Sequence, residues 1–174
     1  MDSEELLVRH QGRRAIVDTN LLLLYLVGSF RRDQITRLCT TRAYTENDFD
    51  ILQRVVDFLG GIVTTGHILA EVNALTSNMK QQQQQNKKGI DSLRQQFLSR
   101  FAQEIPVLNE KLFECSGFST DSLFAKLGLT DTGIAHIASL HQFLVLTDDF
   151  GLYGALISRG IPALNFTHLR SFDI

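Results

Sequence analysis

Apolar positions fall in short blocks separated by polar turns, and the blocks alternate between two periods. Arg14-Ala15-Ile16-Val17 is a short apolar run behind a basic flank, ending at Asp18-Thr19-Asn20, and predicts a buried strand. Leu21 to Val27 follows at once, apolar on nearly every side; closed by Gly28, it predicts a buried helix. Asp48 to Leu59 places Phe49, Leu52, Val55, Val56 and Leu59 at mostly helical spacing and stops at Gly60-Gly61. Ile62 to Thr65 predicts a second strand, and Gly66 opens a helix from His67 to Thr76. Ile90 to Phe101 resumes helical spacing through Leu93, Phe97 and Phe101, and Pro106 to Leu127 predicts a loop and a short helix. Thr130 to His141 is helical, and Phe143 to Thr147 is the strongest strand in the chain. A helix from Phe150 to Arg159, stopped by Gly160, leads to a closing strand from Ile161 to Phe166.

Strands alternating with helices imply an α/β fold, with a mostly parallel central sheet covered by helices on both faces. The strand carboxyl ends then share one edge. Residues 1–174 read as a single domain without an internal repeat. Residues 77–106 form a polar insertion, helical or loop, because Met79 to Lys88 contains five consecutive glutamines and no apolar face.

Composition narrows the class. Of 174 residues, 44% are hydrophobic and 21% charged, enough to build a core and unlike a disordered, fibrous or disulfide-stapled chain. Cys39 and Cys115 match no metal spacing and read as reduced, packed thiols. The acidic start, Met1-Asp2-Ser3-Glu4-Glu5, lacks the order of a signal peptide, and the longest apolar run falls far short of the ~20 residues of a membrane span. The expected compartment is cytoplasmic. Net charge is −2, yet Arg9 to Arg42 holds seven basic residues against two acids, and Lys80 to Arg100 holds five against one. Such stretches permit phosphate contacts and are also compatible with solvated helix faces. Arg13, Arg14, Arg31, Arg32, Lys87 and Lys88 are the candidate phosphate-gripping residues.

Functional groups of a parallel sheet gather where strands end and helices begin. Asp18 follows the first strand, Asp148 and Asp149 follow the Phe143–Thr147 strand, Asp131 opens a helix, and Glu71 lies in the helix after the second strand. Taken singly, Asp18, Asp131, Asp148 and Asp149 are explained as helix caps or dipole partners. Glu71 resists that explanation, since Ile68, Val72 and Leu75 share its helix face. Asp131 repeats the pattern with Ile134, Ala135 and Ala138. Two carboxylates ~4 Å apart repel by roughly 4 kcal/mol at an effective dielectric of 20, so a cluster must hold protons, meet lysine or arginine, or bind a cation. Oxygen-only donors favour Mg²⁺ or Mn²⁺ over zinc. His67 and His136 lie near two of the acids along the chain and read as structural.

Four segments, Ile16-Val17-Asp18-Thr19-Asn20-Leu21, His67-Ile68-Leu69-Ala70-Glu71-Val72, Leu129-Thr130-Asp131-Thr132-Gly133-Ile134-Ala135 and Val145-Leu146-Thr147-Asp148-Asp149-Phe150, resemble the four acidic motifs of PIN-domain nucleases, in that family's order. The resemblance spans nearly the whole chain, in a stand-alone bacterial or archaeal form longer than the compact toxin members. It implies a three-layer α/β/α sandwich and metal-dependent endonucleolytic cleavage of RNA. It also implies that Asp18, Glu71, Asp131 and Asp149 are catalytic metal carboxylates, that Asp148 is a second-choice ligand, and that Asn20 and Thr147 hold the acids in place. A homodimer would suit a flexible strand, and an antitoxin-like protein inhibitor is a further candidate partner. The alternatives are a catalytically silent RNA-binding or scaffolding domain and a structure-specific DNA nuclease. A phosphatase of the haloacid-dehalogenase type needs an aspartate where this chain has Asn20.

Overall fold

Among the described residues, five short strands, all paired in parallel, form one sheet in the order β3-β2-β1-β4-β5. They are β1 (Ala15–Val17), β2 (Ile62–Thr65), β3 (Val107–Leu108), β4 (Val145–Thr147) and β5 (Ala163–Asn165). The computed structural model describes residues 3–82, 95, 99, 107–108 and 122–170. Among these, the helices are α1 (Ser3–Arg9), α2 (Thr19–Arg31), α3 (Glu46–Phe58), α4 (Gly66–Gln82), α5 (Ser122–Leu127), α6 (Leu129–His141), α7 (Phe150–Ser158) and α8 (Phe166–Leu169), with one 3₁₀ turn at Arg32–Gln34. Helices flank the parallel sheet in a three-layer α/β/α arrangement. Every residue of β1, β2, β4 and β5 is buried, as a parallel sheet covered on both faces requires. Among the described residues no helix is long and apolar enough to cross a membrane.

The strand predicted at Ile62 to Thr65 keeps its bounds, and the other three predicted strands shorten by one to three residues where hydrogen-bonded pairing stops before the apolar run does. The first helix departs further. It starts at Thr19, capped by Asp18, and runs through Gly28 to Arg31. Gly28 is a packing device here, not a stop: a Cβ at this position would lie 2.1 Å from Cδ2 of Phe49, so α3 crosses α2 where the side chain is missing. Leu21, Leu22, Leu23, Leu24, Leu26 and Val27 are all buried, which makes α2 the apolar centre of the fold. Helix α3 starts two residues earlier than its apolar spacing does, because Thr45 and Asp48 form a reciprocal capping box. It ends at a turn in which Gly60 has φ +76°, and a Cβ there would sit 2.9 Å from the carbonyl oxygen of Gly12.

Helix α4 continues past Thr76 into the first glutamines. The rest of the glutamine run, and nearly all of the Ile90–Phe101 prediction, lie outside the described residues. Three short elements were invisible to hydrophobic periodicity: α1, β3 and α8. Cys39 is free but exposed, not packed, since the Arg37–Thr40 loop holds it outside the core; Cys115 lies outside the described residues.

Candidate metal centre

The strand order places a topological switch point between β1 and β4. From β1 the chain builds outward through β2 to β3, and β4 returns to the other side of β1 before β5 extends the sheet away. Crossover helices leave the carboxyl ends of β1 and β4 in opposite directions, opening a crevice where parallel sheets characteristically bind ligands. Asp18 follows β1 and Asp148-Asp149 follow β4, and Val17, the last residue of β1, stands in register with Leu146 of β4. The Asp18 amide extends that pairing, donating to the Leu146 carbonyl at 3.0 Å.

Asp18 is 4% exposed. Its Oδ1 accepts the Leu21 amide at 2.9 Å, which caps α2, and its Oδ2 accepts the Asp148 amide at 3.1 Å and the Thr147 hydroxyl. Burial, and then the charge of Asp148, push its carboxyl up to about 7, against the lowering effect of those three donors. Thr147 is fully buried and joins two acids: its hydroxyl donates to Asp18 while its oxygen accepts the Asp149 amide at 3.0 Å. Asp148 is held from two sides, by Tyr44, whose phenol donates to Oδ2, and by the Asn20 amide at 3.5 Å from Oδ1. Burial and that hydrogen bond raise the Tyr44 phenol above its ordinary value and keep it a donor. Tyr44 is itself covered by the guanidinium of Arg170, 5.1 Å above its ring, and Arg170 pairs with the buried Asp48 at 2.7 Å.

A second group lies beside the first. Asp131 is half-buried in the first turn of α6, and burial, then Asp149 and then Glu71, raise its carboxyl to about 6. Asp149 caps α7 through the Leu152 amide at 2.9 Å. Glu71 accepts the Thr19 hydroxyl at 2.8 Å, so the residue after Asp18 ties α2 to α4. The inward placement read for Glu71 is corrected: Ile68 and Val72 on its face are buried, but Glu71 itself is exposed and meets the interior only through the Thr19 hydroxyl.

The capping explanation therefore covers two of the acids, and the dipole explanation covers Asp131 in the first turn of α6. Asp18 and Asp149 are N-caps; α6 is instead capped by Gly128 with no side-chain bond, which leaves Asp131 without that role, and Asp148 caps nothing. Among the described residues no lysine, arginine or histidine forms an ion pair with Asp18, Glu71, Asp131, Asp148 or Asp149. The donors offered are oxygens alone, a chemistry suited to Mg²⁺ or Mn²⁺. The described residues contain no group of three or more acids, histidines or cysteines already disposed around one metal position. Unshielded carboxylates repel, and Asp18 turns both oxygens toward its donors.

The basic candidates are placed elsewhere. Arg13 and Arg14 precede β1 and thus stand at the opposite, amino edge, where Arg13 lines a cleft with Gln142, Gly160 and Pro162. Arg31 lies at the far end of α2 and pairs with Asp33 at 3.4 Å; Arg32 pairs with Glu46 at 2.9 Å and with Asp50. Lys87 and Lys88 lie outside the described residues. Conversely, Tyr44 and Arg170 were not foreseen, because a tyrosine in a polar loop and an arginine beyond the last strand carry no periodic signal. Thr19 stands between Asp18 and Asn20 in plain view, but its bond to Glu71 spans 52 positions and exists only in the fold.

Protein-family models, curated proteins and solved structures contain no match to this chain.

Proposed function

We propose that the carboxyl edge hydrolyses RNA phosphodiester bonds with a divalent ion, as the resemblance to PIN-domain nucleases implies. The observation that supports it most is Asp18: a carboxylate buried at the switch point, beside Asp148, with no cationic partner among the described residues. Keeping such a group charged and away from water is unfavourable unless a cation neutralises it, and without one the carboxyl holds its proton to higher pH. Asp18, Glu71, Asp131 and Asp149 would hold Mg²⁺ or Mn²⁺, with Asp148 as a further ligand. When bound, the ion supplies charge neutralisation at the phosphoryl oxygens and acidifies the attacking water.

The chain's own part is positional. Three donors fix Asp18 at the strand end, so its carboxylate position is set before any ligand arrives. Thr147 couples Asp18 to the loop that carries Asp149, and Thr19 draws Glu71 toward β1. Tyr44 and Asn20 fix Asp148. Glu71 and Asp149 are exposed, and each holds one oxygen in a hydrogen bond, to the Thr19 hydroxyl and the Leu152 amide, leaving the other for a ligand.

The test is cleavage of an RNA oligomer with Mn²⁺, with Mg²⁺ and with chelator. Metal-dependent cutting by the wild-type protein, lost in Asp18→Asn with the circular dichroism spectrum unchanged, is the expected outcome. Undiminished cutting by Asp18→Asn removes Asp18 from the chemistry. The competing reading is a catalytically silent domain on the same fold. RNA binding without cleavage across a full Mn²⁺ titration would decide for that reading.

A further inference from the structure

The carboxyl edge continues on its β5 side into an aromatic surface that the metal chemistry does not use. Phe150, the residue after Asp149 and the first of α7, is 62% exposed. Packing does not require it there, since Leu152 and Leu156 fill the buried positions of α7. Its ring meets the imidazole of His168 in α8 at 6.2 Å and 61°, and His168 in turn meets Tyr153 at 5.8 Å and 86°. Helix α7 follows β4 and α8 follows β5, and these strands pair residue for residue up to Thr147 and Asn165. The three rings therefore stand on the same edge as the carboxylates.

Exposed apolar residues scattered singly are ordinary, and Leu140 is of that kind. Phe150 differs in two respects. Edge-on contacts brace its ring while leaving aromatic surface open, so little side-chain freedom remains to be lost when a flat group settles on it. It also directly follows a carboxylate of the candidate centre. Every nucleobase has a π-face, and a held aromatic ring beside a strand-binding site is the usual platform for one.

We propose that Phe150, braced by His168, is a stacking subsite for one nucleobase of the strand whose phosphodiester lies at the carboxylates. The identity of that strand rests on the nuclease reading; the stacking itself does not require cleavage. Because the chain contains no tryptophan, Phe150→Trp introduces a single indole at the proposed contact, excited at wavelengths that the three tyrosines do not absorb. Placed in an Asp18→Asn background with chelator, it reports binding without turnover. An oligoadenylate should quench its emission and bind about 5- to 150-fold more tightly than an abasic oligomer of equal length. Phe150→Ala, followed by anisotropy of a labelled oligomer, should lose that preference for bases, and His168→Ala should reduce it. Equal quenching and affinity for the abasic strand, or an undiminished preference in Phe150→Ala, overturns the subsite. If only the nuclease reading fails, the quench persists while wild-type protein cuts nothing; if only the stacking fails, wild-type protein cuts RNA and no base-dependent quench is seen.

Discussion

Replacing Asp18 with asparagine should stabilise the metal-free protein at alkaline pH, which is unusual for a buried, fully hydrogen-bonded residue. The carboxyl titrates near 7 in the fold, against 3.8 ordinarily. Between those values the folded chain holds a proton that the unfolded chain has released, so stability falls as pH rises through that window. Three pKa units correspond to a penalty on the order of 4 kcal/mol above pH 7. Asparagine caps a helix about as well as aspartate, so the bond to Leu21 can be kept. Its amide group, however, replaces an oxygen that now accepts from Thr147 and Asp148, and a mismatched buried donor costs about 1–3 kcal/mol. The net gain is roughly 2 kcal/mol, or about 4–8 °C in Tm for a chain of this size. Thermal unfolding with chelator at pH 8 and pH 5 measures it. Asp18→Asn should melt higher than wild type at pH 8, and the difference should shrink or reverse at pH 5. Asp131, raised to about 6, adds to the same pH trend in both proteins. Added Mn²⁺ should close the gap by raising only the wild-type Tm, by about 2.7 kcal/mol of stability at a hundredfold excess over Kd. A wild-type Tm that does not fall between pH 5 and 8, together with an Asp18→Asn protein that is less stable throughout, would refute the claim that Asp18 is a strained carboxylate awaiting a cation.

Two further outcomes follow from particular contacts. Gly28→Ala should lose about 1–3 kcal/mol in urea denaturation, because its Cβ would overlap the Phe49 ring, and Phe49→Leu in the same chain should recover part of the loss. Thr147→Val should cost about 1–2 kcal/mol by leaving the Asp149 amide without its acceptor and taking one of two donors from the Asp18 Oδ2, and should move the pH-dependent fall in stability to higher pH, since the hydroxyl holds the Asp18 carboxyl down. An unshifted pH profile in Thr147→Val would mean that the hydroxyl does not act on Asp18.

Much of the architecture was legible because it depends on local alternation. Apolar runs of strand length ending at Asp18 and Thr147, separated by helix-length blocks, give a parallel sheet with a shared carboxyl edge. That edge in turn gives the positions of Asp18, Asp148 and Asp149. Helix ends were read less well where a cap overrode a breaker: Gly28 looked like a terminus and is a crossing point, and Thr45 starts α3 ahead of its apolar stripe. Orientation also escaped pattern reading. Glu71 shares a face with buried residues yet reaches solvent, and Arg13 and Arg14 flank β1 on the side away from Asp18.

What the linear order of residues determines here is which positions are buried strand, which are helix, and that carboxylates follow the strands. Each of those depends on neighbours within a few residues. Only the tertiary structure decides that β4 lies against β1, because strand order is a choice among pairings that local patterns leave nearly equal in energy. That choice brings Thr147 onto Asp18 across 129 positions and Tyr44 onto Asp148 across 104, and it sets which acids feel one another's charge. Electrostatic energy depends on distance and burial, and neither exists until the chain has closed.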